Sequence, residues 1–179
     1  MKNINLFTGI FLVVLLSAGC NEFDEWTQFD IEYNKSVSIS ATTGINLPVN
    51  IPTPPIPTNS SSEFKVNNTA RKLVEKIRLK KLVLTIKSPS DADFSFLKSV
   101  EVYISAEGME EMKIAWKDHI SNDIGNTIEL EVSNENLKEY ILKDEITLRL
   151  RTVTDEILGK DHQIDVHSVF FVDARILGQ

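Results

Sequence analysis

The feature that most limits what this chain can fold into is a long alternation of apolar and polar residues near its C-terminus. Ile164, Val166, Ser168, Phe170, Val172, Ala174 and Ile176 share one phase; Gln163, Asp165, His167, Val169, Phe171, Asp173, Arg175 and Leu177 share the other. A period of two is that of a strand, because successive side chains point to opposite faces. Both phases are apolar between Val169 and Val172, which predicts a central strand or a face covered by a helix.

The same period recurs in shorter runs. Phe29, Ile31 and Tyr33 alternate, then Val37 and Ile39; so do Leu82, Leu84 and Ile86; Val100, Val102 and Ile104; Met112, Ile114 and Trp116; Ile128, Leu130 and Val132; and Ile146, Leu148 and Leu150. Phe64 and Val66 suggest one more short strand. Helical spacing is sparse. Asn68 or Thr69 is placed to cap a short helix over 70–77, and Ser133 to cap one over 135–142. The expected fold is therefore all-β: an antiparallel β-sandwich with Greek-key connections, immunoglobulin-like or similar, with one or two short helices. The pattern is loosely similar to sandwich domains of the late-embryogenesis-abundant type, an analogy of architecture alone. The 179 residues, 42% hydrophobic, suffice for one domain with a sizeable core.

The N-terminus reads as an address. Met1-Lys2 gives a short positive region, residues 6–16 carry no charge, and the small residues Ser17, Ala18 and Gly19 follow. This is the layout of a secretory signal peptide. Its apolar run is too short for a membrane span, which needs about 20 residues. Cys20, the single cysteine of the chain, comes next. Here the sequence resembles the bacterial lipoprotein family through Ser17-Ala18-Gly19-Cys20, with Ser17 where leucine is usual. The resemblance implies a signal peptide over 1–19, acylation of Cys20 with palmitate-type chains, and a lipid-anchored protein of the outer membrane, on either its periplasmic face or the cell surface. Several acyl chains on one residue anchor stably, each buried methylene contributing about 0.8 kcal/mol. The segment Asn21-Glu22-Phe23-Asp24-Glu25-Trp26 looks like the acidic tether that follows the lipidated cysteine in surface lipoproteins of the Bacteroidota. The expected organisation is thus a signal peptide over 1–19, a lipidated acidic tether over 20–28 and one sandwich domain over 29–179. Trp26 belongs either at the lipid headgroups or at the edge of the core.

Five of the six prolines, Pro48, Pro52, Pro54, Pro55 and Pro57, lie within residues 46–58. Such a stretch lacks main-chain donors and cannot be a central strand. It is expected to be a loop laid along the sandwich edge, blunting it against aggregation.

Charge narrows function. The formal net charge is −7, against the basic footprint of a nucleic-acid binder. The run 69–87 nonetheless holds seven basic residues and one acidic. With no aromatic residue among them, these read as a solvated face balancing the acidic remainder. Trp116 would be a sugar-stacking platform if it faced outward, but it shares its phase with Met112 and Ile114 and is expected in the core. Asp91, Asp93 and Ser95 open like a calcium loop, yet Phe96 stands where glycine is needed and Val102 where a bidentate glutamate is needed. Asp165 and His167 share a strand face and supply at most two metal ligands. His119, His162 and His167 fit no zinc motif, and no nucleophile elbow or phosphate loop is present. No catalytic residue, metal or cofactor is assigned. The expected function is a non-catalytic envelope protein with a binding or structural role, held to the membrane by its lipid and meeting a protein or glycan partner. The alternative is a periplasmic carrier of a small hydrophobic ligand or an envelope-assembly factor. A solid core with polar faces favours the first; an apolar cleft favours the second.

Overall fold

The structure is a computed structural model that describes residues 28–41 and 44–175. Cys20, the tether with Trp26, and Ile176 and Leu177 lie outside the described residues. The strands are β1 (Gln28–Ile39), β2 (Pro48–Pro52), β3 (Ile56–Pro57), β4 (Val74–Ser88), β5 (Leu97–Ala106), β6 (Met112–Asp118), β7 (Thr127–Glu129), β8 (Glu131–Val132), β9 (Glu145–Thr154) and β10 (His162–Ala174). Two short helices, α1 (Ser60–Val66) and α2 (Lys138–Ile141), interrupt them.

The protein is an all-β sandwich of two antiparallel sheets. One has the order β1-β10-β4-β7; the other runs β2-β9-β5-β6-β8, with β3 also paired to β9. The order β9-β5-β6-β8 sets the last strand beside the first, as in a Greek key. Strand β10 lies between β1 and β4, with Phe170 facing Ile31 on one side and Leu79 on the other. The central position expected from its two apolar phases is what these ladders give it.

The core lies between the sheets. Ile31, Val37, Leu82, Leu84, Ile164, Phe170 and Val172 from one sheet and Val100, Val102, Ile104, Leu148 and Leu150 from the other belong to one buried cluster. Fully burying a side chain of this size contributes about 1.5–3 kcal/mol. Tyr33 joins from β1, its ring edge-on to Phe170 at 5.7 Å and its hydroxyl donating to the Thr58 carbonyl at 2.8 Å. Gly108, at a positive φ of 71°, makes the turn between β5 and β6 that a side chain would strain.

Several local expectations give way to tertiary context. Phe64 and Val66 lie on a helix, not a strand: Ser62 and Glu63 donate their main-chain N–H groups to the carbonyl of Asn59, which closes the first turn. Phe64 is fully buried beside Phe29, whereas Val66 is 79% exposed; a strand would have put both on one face. The helix expected over 70–77 shrinks to a 3-10 turn at Arg71–Leu73, because β4 starts at Val74 and pairs with β10 from Ala174 onward. Ladder pairing and burial outweigh a modest helix preference. The helix expected over 135–142 is one turn, and Asn136 rather than Ser133 meets its first N–H, accepting from Lys138 at 3.1 Å. The run Ile128 to Val132 splits between the sheets, β7 pairing with β4 and β8 with β6.

The proline-rich segment does lie on the edge, but as strands. Pro48 to Pro52 pair with Val153 to Arg149, and Ile56 and Pro57 with Ile146 and Glu145.

Candidate functional site

The site is built on the outer face of the sheet β2-β9-β5-β6-β8. Facing positions line up across it: Asn50 with Arg151, Arg151 with Glu101, Glu101 with Trp116, and Trp116 with Glu131. In the adjacent row Pro52 faces Arg149, Arg149 faces Tyr103, and Tyr103 faces Lys113.

Trp116 is therefore half-buried on the outer face and not in the core. The cause is a β-bulge. Between Val102 and Tyr103 the pairing with β6 slips by one, so Ile114 has no opposite residue. Ile114 and Ala115 are both fully buried, and the phase beyond them reverses. Simple alternation from Met112 misses this by one residue.

The network around the two rings is interlocked. Arg149 grips Glu111 with two bonds, Nε at 2.7 Å and a terminal nitrogen at 2.5 Å, and also donates to the Asn50 side-chain oxygen. Its guanidinium lies over the Tyr103 ring at 4.3 Å. Glu101 accepts from Arg151 at 2.8 Å, from the Tyr103 hydroxyl at 2.9 Å and from Lys113 at 3.2 Å. Lys113 in turn sits 5.5 Å from the centre of the Trp116 ring. The bond from Arg151 is the main reason Glu101 is held below the ordinary carboxylate range, and Arg149 does the same for Glu111. Charges held this way are ordered in advance and present a flat aromatic and ionic surface. Stacking and hydrogen bonding are what such a surface offers.

The basic residues of β4 within the run 69–87 map to the other outer face. Lys80 pairs with Asp30 at 2.6 Å, Lys81 with Glu129 at 3.3 Å, and Arg78 lies over Phe171 at 4.8 Å. Asp165 and His167 are on this face too, each with its own partner: Ser36 donates to Asp165 at 2.5 Å, and His167 Nδ1 lies 2.7 Å from the Asn34 side-chain oxygen. His162 is elsewhere, buried against the Phe96 ring. Asp93 accepts the Ser95 N–H at 2.9 Å, the turn-capping role that its sequence context allows. Among the described residues no three His, Cys, Asp or Glu side chains converge to hold a metal ion.

A recess of about 500 Å³ lies beside Arg71, Ala106 and residues 143–147, with the Arg71 to Asp144 ion pair at 3.0 Å on its wall. It is mixed in charge and open. Among the described residues, no helix is long and apolar enough to cross a membrane.

No family model and no curated protein matches the sequence. Among solved structures, a chain described as Desmodium yellow mottle tymovirus aligns over 85% of this chain and 85% of its own, at 11% identity and a TM-score of 0.26. A likeness that remote bears on neither fold nor function.

Proposed function

We propose that this is a lipid-anchored, non-catalytic protein of the cell envelope, which meets a protein or glycan partner through the outer face of its larger sheet. The observation that carries the reading is the outward Trp116 and Tyr103 within the Arg149, Arg151, Lys113 and Glu101 network, above a filled core. Half-exposed aromatic rings flanked by fixed donors and acceptors are the composition of a binding surface. Side chains from both sheets fill the space between them. That filling supports a binding or structural role over the carriage of a hydrophobic ligand, which needs an apolar cleft. The anchor rests on the Ser17-Ala18-Gly19-Cys20 resemblance.

Three experiments test this reading. Metabolic labelling with palmitate in a Gram-negative host is expected to mark the full chain and to fail for Cys20→Ala; equal labelling of both, or of neither, removes the anchor. Protease shaving of intact cells, following a C-terminal tag, then sorts surface from periplasm. For the face, binding of Trp116→Ala and Tyr103→Ala to purified envelope polysaccharide and envelope protein fractions is compared with that of the unsubstituted chain. Unchanged retention by both variants eliminates this face as the contact.

A further inference from the structure

Among the described residues the sandwich has four lateral strand edges, and three are blunted. The β7 edge is three residues long and the β8 edge two. The third, β2, is chemically capped. Thr53 donates its N–H to the Leu148 carbonyl, so by alternation Val49 and Ile51 also point their main-chain groups at β9, while positions 48, 50 and 52 point outward. Two of those outward positions are prolines, with no N–H to offer, which leaves Asn50 as the single outward donor of this strand. The fourth edge, β1, is different. It is 12 residues long, contains no proline and pairs with β10 along its whole length on one side. On its other side the described residues supply no main-chain ladder. An open edge of that length is a template for strand addition.

We propose that β1 pairs antiparallel with β1 of a second copy of this chain, about a two-fold axis at Asn34, joining two four-stranded sheets into one of eight. The β1 sequence is complementary to itself in that register. Phe29 faces Ile39 and Ile31 faces Val37 on the core side, while Asp30 faces Ser38 and Glu32 faces Ser36 on the outer side. Lys35 faces Tyr33, so no like charge stands opposite it. Shifts that keep each face in phase are penalised. One sets Lys35 against Lys35, another sets Glu32 against Glu32, and the one centred on Tyr33 sets Lys35 against Ile31. Like charges directly opposite destabilise a strand pair, so the charges on β1 select the register. The pairing is isologous, and a two-fold interface closes rather than propagating into a fibre. It needs no acyl chain and stands whether or not Cys20 is lipidated.

The test uses the full chain carrying Cys20→Ser, which removes the single native thiol. Sedimentation equilibrium is expected to show a reversible dimer. Asn34→Cys, at the axis, is expected to oxidise to a disulfide-linked dimer much faster than Ser38→Cys, which is equally on the exposed phase but faces Asp30 of the other copy. Ser38→Lys, opposing Asp30 twice per dimer, is expected to tighten association by about two- to tenfold and Ser38→Asp to weaken it by a similar factor. A chain that stays monomeric as its concentration is raised overturns the proposal. So does cross-linking through Ser38→Cys that matches Asn34→Cys.

Discussion

The two outer faces of the sandwich use the same kinds of residue to different ends. On the smaller sheet, Lys80, Lys81 and Arg78 each meet one neighbour, Asp30, Glu129 or the Phe171 ring, and the exposed pairs are separate from one another. On the larger sheet, Arg149, Glu101, Tyr103, Lys113 and Trp116 are joined through shared partners, so that moving one disturbs the next. Isolated surface pairs contribute about 0–1 kcal/mol and are screened by salt. Networks with bidentate geometry contribute more and fix their members in place. The first face carries separate, locally balanced pairs; the second holds its side chains in one shared network.

The contrast is sharpest at Arg149, whose side chain is 23% exposed and engages Glu111, Asn50 and Tyr103 together. Arg149→Ala is expected to cost about 1–2 kcal/mol, read as a lower Tm and denaturant midpoint. A loss no greater than that of a single surface pair would dissolve the distinction. Next is Tyr33→Phe, beneath the smaller face, which leaves the Thr58 carbonyl without its donor and is expected to cost about 1 kcal/mol. Burial first, and then the charge of Glu63, push the Tyr33 hydroxyl well above its usual range. Its neutral form is favoured in the folded state, so its contribution is complete below about pH 10, the unfolded tyrosine value, and is lost as pH rises beyond it. Alkaline melting of the two forms is expected to converge.

Glu101→Gln follows, at about 1 kcal/mol near neutral pH, since it removes the charge shared by Arg151 and Lys113. Because the folded carboxyl titrates below its ordinary range, the stability it confers is present above about pH 4.3, the unfolded glutamate value, and fades as pH falls through the depressed one. The variant is expected to show a shallower acid limb in stability against pH. The smallest effect is expected for Lys80→Ala on the other face, under about 0.5 kcal/mol and vanishing at high salt. A larger, salt-insensitive loss would make the two faces alike.

Much of the fold is legible in the sequence because burial on one side of a sheet leaves a period of two. The strands at residues 28–39, 97–106, 145–154 and 162–174 all carry it, and β10 carries the doubly apolar stretch that a central strand requires. The candidate site was less legible. Trp116 stands in phase with Met112 and Ile114, so strict alternation puts it inside; the extra residue at Ile114 shows only in the pairing of β6 with β5. The signal that could have exposed it is Ala115, a small apolar residue set between Ile114 and Trp116, where strict alternation would place a polar one.

The sequence by itself determined the strand content and the outward turn of most charges, because these follow from residue period and composition. Tertiary structure decided the rest. Residues 64–66 became a helix and 74–77 a strand, residues 127–132 divided between two sheets, and the prolines at 48 and 52 turned to the free side of their ladder. Each of these depends on which segment lies alongside, and a chain read one residue at a time carries no record of its neighbours across the sheet.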